Sequence, residues 1–210
     1  MPFGYNLGED NFEPSKFAFP YLMGDAADLR VRNLAIPGWR TDHLLPTIQH
    51  DEKYRQAIRH ADYITLNIGS NDLLQVLGAA QACGPFIGLC INEGLQNSLM
   101  LSNLNSILVE IRSLTDAPVV VYDVYNPFQD NAPLHALAVG ILPLVNGGIY
   151  ATAFQHENIK IAYANAAYGS NQAEFVRLND IHPTIAGQQK LAEIGLQALG
   201  LSHSTKKQKK

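Results

Sequence analysis

The stretch "DYITLNIGSND", residues 62–72, decides the fold. Residues 62–69 are rich in β-branched and aromatic side chains, as a strand requires. They end in Gly69, and Asn71 and Asp72 come next, where a helix would begin. The pattern recurs along the chain: "RVRNLA" (30–35), "APVVVYDVYN" (117–126) and "NIKIAYAN" (158–165) read as three further strands bounded by turn residues. Between them lie helical periodicities over roughly 42–60, 93–114 and 132–156. Leu101, Leu104, Leu108 and Ile111 share one face of the second, while Leu191, Ile194, Ala198 and Leu199 form a stripe on a last helix. Strands alternating with helices predict an α/β fold, a parallel sheet covered on both faces. Without repeats or a Pro/Ser linker, residues 1–203 read as a single domain. In open sheets of this kind, function collects in the loops at the carboxyl ends of the strands.

Composition bounds the rest. A chain of 210 residues, 47% hydrophobic and 16% charged, has the balance of a soluble globular protein. Its formal charge is −4, but four lysines fall in the last five residues, so the remainder carries −8. An acidic body argues against nucleic acid as a partner. The tail, 204–210, reads as a solvated, disordered end, with a surface contact as the alternative. No leader pattern is legible in "MPFGYNLGEDNFEPSK". The least charged stretch, 131–155, holds His135, Pro143 and "NGG" (146–148), which suit a bilayer poorly; a buried, broken helical region is expected there rather than a membrane span. Cys83 and Cys90 supply too few ligands for a metal site, leaving a small disulfide loop or two free thiols. A bridge would contribute about 2 kcal/mol by loop entropy and imply an oxidising compartment.

Three loops carry chemistry: "IPGWRT" (36–41), "GSND" (69–72) and "NDIHPT" (179–184). Pro183 holds His182 in an extended conformation on the approach to a helix. Asp180 is placed to fix its tautomer and stabilise the imidazolium. Asp-x-His-Pro alone is a weak signal, since a surface histidine beside an aspartate often does no more than open a helix. Asn71 offers an amide for a substrate oxyanion, or a helix cap; Asp72 suits the cap, leaving Asn71 for the site. Gly38 lets a backbone N–H approach a ligand, or serves only its turn. Asp42, His43, His50 and Asp51 make a metal-dependent hydrolase conceivable, but they lack the His-Glu-x-x-His pattern and read more simply as a solvated face.

Taken together and in order, the three loops resemble those of the SGNH hydrolases, the GDSL esterase/lipase family, with the resemblance running from the first residues to about Leu199. It implies a flavodoxin-like three-layer α/β/α sandwich and ester hydrolysis through a serine acyl-enzyme, with no cofactor or metal and a small-molecule ester as substrate. His182 would be base and then acid, Asp180 its orienting partner, and Gly38 N–H with the Asn71 side chain part of the oxyanion hole. The family often has Asp-x-x-His, and Asn179 stands at that place; Asp180 is the carboxylate available.

One part of the resemblance is missing. The family's first, central strand ends in a Gly-Asp-Ser-type turn bearing the nucleophile, and no such segment occurs here. The opening residues are similar to the family's segment after that turn, a Gly-containing loop and a helix, here with Phe17, Phe19, Tyr21 and Leu22. Ser70 and Ser15 read as turn or capping residues. The expectation is a truncated chain whose serine precedes Met1, probed by reading the upstream coding sequence; the competing expectation is a non-catalytic binding module on the same fold. On the truncation reading, localisation depends on whether the absent portion held a signal peptide; oligomeric state and acyl specificity are not encoded legibly.

Overall fold

Three of the four apolar runs become strands, because each finds a neighbour to pair with. In the computed structural model, which describes residues 1–8 and 10–201, β1 (Ile64–Leu66), β2 (Val119–Tyr122) and β3 (Ile159–Ala162) form a parallel sheet in the order β1-β2-β3. Leu66 lies opposite Val121, and Val121 opposite Ile161. The expected tail, 204–210, lies outside the described residues.

Successive side chains of a strand point to opposite faces, and β2 shows why its sequence is uninterruptedly apolar. Val119 and Val121 pack into one core with Leu104, Ile107, Leu108 and Ile149. Val120 and Tyr122 enter a second core with Phe19, Leu191 and Leu196. The first core is covered by α2 (Thr41–His50), α3 (Glu52–Arg59), α6 (Met100–Leu114) and α7 (His135–Ala153). The second is covered by α1 (Phe19–Ala27), α8 (Ala164–Tyr168), α9 (Gln172–Phe175) and α10 (Ile185–Leu199). The result is the α/β/α layering expected. The remaining helices, α4 (Ser70–Ala80) and α5 (Ile87–Asn97), are joined by a 3-10 turn, Gln81–Phe86, and tied by a Cys83–Cys90 disulfide; they pack chiefly on each other.

Several expectations need correction. The helix expected over 42–60 is broken at Asp51, whose extended backbone and carboxylate, accepting from Lys53 N at 2.7 Å, start α3 afresh. The helix expected over 93–114 is likewise two, parted at Ser98 and Leu99. Conversely, α7 runs unbroken through Pro143 and the glycines. The carbonyl that Pro143 leaves unbonded belongs to Val139, on an exposed turn. "NGG" is no turn: Asn146 is buried and pairs with both backbone groups of Val124, and Gly148 lets Leu101 of α6 close in.

"RVRNLA" does not become a strand. Residues 30–36 take up no regular secondary structure and, among the described residues, pair in no ladder. They are held by side chains, with Tyr54 Oη donating to Leu34 O at 2.8 Å and Asn33 Nδ2 to Pro2 O at 2.6 Å. A strand exists only through a paired neighbour, and beside this segment lies a cleft of about 670 Å³. Val31, Leu34 and Ile36 line it, as do Ile64 and Leu66 of β1, whose outer edge is unpaired. The cleft continues to the loops of Gly38, Asn71 and His182.

Candidate active site

His182 sits where its sequence context puts it. Pro183 forms a single bridge with Val176, His182 O accepts from Arg177 N at 3.0 Å, and Thr184 caps α10 by accepting from Gly187 N at 3.0 Å. The histidine is thus clamped on the threshold of a helix. Its Nδ1 meets Asp180 Oδ1 at 2.5 Å, and Tyr5 lies against the ring at 5.1 Å between centroids. Among the described residues nothing hydrogen-bonds its Nε2, the nitrogen free for proton transfer.

Asp180 is held by more than the histidine. Ile181 N donates to it at 2.7 Å and Asn6 Nδ2 at 3.3 Å; Arg177 Nε approaches its Oδ2 to 3.3 Å as an ion pair without hydrogen-bond alignment. Burial opposes its ionisation, but the bonds from His182, Asn6 and Ile181 outweigh it and bring the pKa from 3.8 down to about 2. Asn179, at the Asp-x-x-His position, is exposed in a left-handed turn (φ 57°), away from this network.

A depressed carboxylate pKa fixes the sign of a pH effect. The stability that Asp180 contributes is complete above its unfolded value and disappears as pH falls through the folded one. The difference in urea midpoint between the protein and an Asp180→Asn variant should therefore shrink as pH is lowered from about 5 towards 2. A pH-independent difference would remove the ionic account.

The other two loops are bound to each other. Asn71 Nδ2 donates to Trp39 O at 2.9 Å, which uses one of two amide hydrogens and leaves the second for a ligand. Asp72 does not cap its own helix, where Gly69 stands at the cap. Instead it is buried and accepts from Thr41 N at 3.1 Å and Thr41 Oγ1 at 2.6 Å, joining the start of α4 to the start of α2; Asn103 Nδ2 adds a bond to Thr41 Oγ1. Burial raises its pKa against those bonds. Gly38 adopts φ 78°, strained for any L side chain, and an added Cβ would meet nothing within 4 Å. Gly38, Asn71 and His182 all line the one cleft.

Ser70 begins α4 in that cleft and Ser15 is buried, accepting from Phe17 N at 3.1 Å; neither hydroxyl bonds His182. Arg40, Asp42 and His43 bond among themselves on the surface, and Asp51 caps α3. Among the described residues no three acidic, His or Cys groups converge to hold a metal ion. Sequence reasoning missed Tyr5, Asn6 and Thr41; the signal for the first two was the alternation Gly4, Asn6, Gly8, all of which adopt positive φ.

The sequence pattern of the GDSL-like lipase/acylhydrolase family matches residues 3–190. The chain belongs to this family. Its fold is similar to that of the lipase Lip_vut3 from a goat rumen metagenome, with a TM-score of 0.70 at 22% identity over 95% of this chain and 94% of that one. It is also similar to phospholipase A1 from Streptomyces albidoflavus NA297, with a TM-score of 0.73 at 18% identity over 93% and 95% of the two chains. Among curated sequences, the uncharacterized protein YpmR of Bacillus subtilis is 26% identical over 182 residues; the match covers 80% of this family member and 66% of YpmR's length.

Proposed function

We propose that the cleft hydrolyses small-molecule esters through an acyl-enzyme, and that the attacking serine hydroxyl is carried by a strand seated between residues 30–36 and β1. His182 Nε2 takes the serine proton as Oγ attacks the ester carbon, then returns it to the leaving alkoxide. In the second half-reaction it activates water in the same way. Asp180, ionised throughout, keeps the proton of Nδ1 in place and stabilises the imidazolium. Gly38 N–H and the second hydrogen of Asn71 Nδ2 hold the oxyanion, each such donor being worth about 10²–10³ in rate.

The observation that carries the strand is the unpaired edge of β1 facing an apolar cleft. A row of backbone donors and acceptors beside apolar walls favours an added strand. Asn67 Nδ2, buried in the same wall and without a partner among the described residues, offers one more donor to such a strand. A parallel neighbour of β1 would run its carboxyl end towards Gly69, the end where Asn71 stands.

The test is to express the chain with an apolar strand ending in Gly-Asp-Ser joined ahead of it, beside the same fusion with alanine in place of that serine. Turnover of p-nitrophenyl acetate or butyrate is expected from the first and not from the second. A folded fusion without turnover leaves a binding module as the function of the cleft. Turnover by the 210-residue chain itself, abolished by His182→Ala, would show that the hydroxyl lies elsewhere.

A further inference from the structure

From Leu73 to Asn92, twenty consecutive residues carry no charge, in a protein whose body is otherwise acidic. They form most of α4, the 3-10 turn and the first half of α5. By composition, Ser70–Leu114 is long and apolar enough to cross a membrane. Its geometry forbids that. Gly84 (φ 53°, ψ −122°) and the extended Ser98 cut it into three helices, and the 11 residues of α4 or α5 reach only about 16 Å against a hydrocarbon core of about 30 Å.

What remains is an apolar hairpin standing on the rim of the cleft. Its inner face, with Leu73, Leu77, Ile91 and Leu95, lines the cleft that holds His182. Its helices meet closely, a Cβ on Gly94 coming within 2.7 Å of Val76. At its tip the Cys83–Cys90 bridge closes a short loop that presents Phe86 and Leu89 to solvent, 66% and 70% exposed. A disulfide that holds two large apolar side chains outward does nothing for the core. An ordered loop with its apolar residues fixed outward forfeits the hydrophobic term unless something covers them.

We propose that this tip seats in the surface of a lipid aggregate, so that a lipid ester passes from the surface along the inner face of the hairpin to His182. The delivery step rests on the ester-hydrolase reading above; the seating does not. Charge selects the occupant. A protein partner would be met by a charged and hydrogen-bonding rim, whereas the hairpin carries no charge from Leu73 to Asn92. An apolar phase asks only for apolar area. The acidic remainder disfavours anionic headgroups, so the surface that fits is zwitterionic.

Seating is read without turnover, by sedimenting the full chain with phosphatidylcholine vesicles. The protein is expected to pellet with the vesicles, and the Phe86→Ser/Leu89→Ser double variant to bind at least about tenfold more weakly. Both side chains are exposed, so the variant keeps the fold, which its circular dichroism checks. A Phe86→Trp variant should have its emission quenched by brominated phosphatidylcholine. Three results would each overturn the proposal: no binding by the protein, equal binding by the double variant, or a lipid-independent dimer that the double variant dissociates. Binding by the strand-bearing fusion without ester turnover would instead leave the seating intact and count against the catalytic reading.

Discussion

In a chain carrying the strand and its serine, His182→Ala should lower kcat/KM for p-nitrophenyl butyrate by about 10³–10⁴ with little change in KM. On the proposed mechanism the imidazole acts twice, withdrawing the serine proton and delivering one to the leaving group, and among the described residues no other histidine bonds Asp180. Asp180 is acceptor-only at its depressed pKa of about 2 and touches Nδ1 rather than the reacting atoms. His43 and His50 lie on α2 at the surface; His60, at the end of α3, also lines the cleft, but its Nε2 meets Gln56 and, among the described residues, no carboxylate holds its ring. The ring is also poorly placed to bind substrate, with Tyr5 against it and Asp180 on its far nitrogen, so the loss should fall on kcat. Circular dichroism should match the parent, since the backbone clamp from Arg177 N to His182 O does not involve the side chain, while the urea midpoint should fall by the share of Asp180's stabilisation that the Nδ1 bond carries. A residual rate within tenfold of the parent would mean that another group is the base.

The sequence is most readable where a residue's environment is set by its neighbours in the chain. β2 declares itself because both its faces are buried, and the His182 loop because Pro183 leaves its backbone little choice. Reading fails where the deciding partner is distant. "RVRNLA" has the composition of a strand, but pairing is a property of two chain segments, and among the described residues no segment pairs with it across the cleft. Asp72 looks like a cap for the helix it begins, yet its carboxylate turns to Thr41, thirty-one residues earlier. Pro143 and the glycines of α7 look like breaks because local propensity argues so; the helix runs through them, and its buried Asn146 binds the backbone of Val124, two residues beyond β2. The candidate site shares both qualities. Its residue types are legible, while Asn6 and Tyr5, which meet Asp180 and His182 from the other end of the chain, are not.

Gly187→Ala, five residues beyond His182, should be as damaging to the folded state as His182→Ala is expected to be to turnover. A Cβ at Gly187 would lie 2.2 Å from Phe175 O and 2.7 Å from Tyr168 Oη. Neither neighbour can yield cheaply. The Phe175 carbonyl accepts from Thr184 N at 2.9 Å, and Thr184 Oγ1 both donates to Glu174 O at 2.7 Å and accepts from Gly187 N at 3.0 Å. Tyr168 is fully buried against Tyr125 and Phe175. The clash must therefore push the first turn of α10 away from residues 174–177, the clamp that also fixes His182. Overpacking of this kind costs about 1–3 kcal/mol when side chains can move, and more when the obstacle is backbone. A loss of about 3 kcal/mol or more is expected from urea midpoints. In the strand-bearing chain a shift of the imidazole by about 1 Å should cost a further factor of about 10² in kcat. Gly147→Ala supplies the contrast, because a Cβ there meets nothing within 4 Å in the interior of α7. That exchange should leave turnover unchanged and stabilise the protein by about 0.5–1 kcal/mol. Equal midpoints for the two variants would mean that α10 can retreat from Phe175 without cost, and that the clamp on His182 is looser than its hydrogen bonds imply.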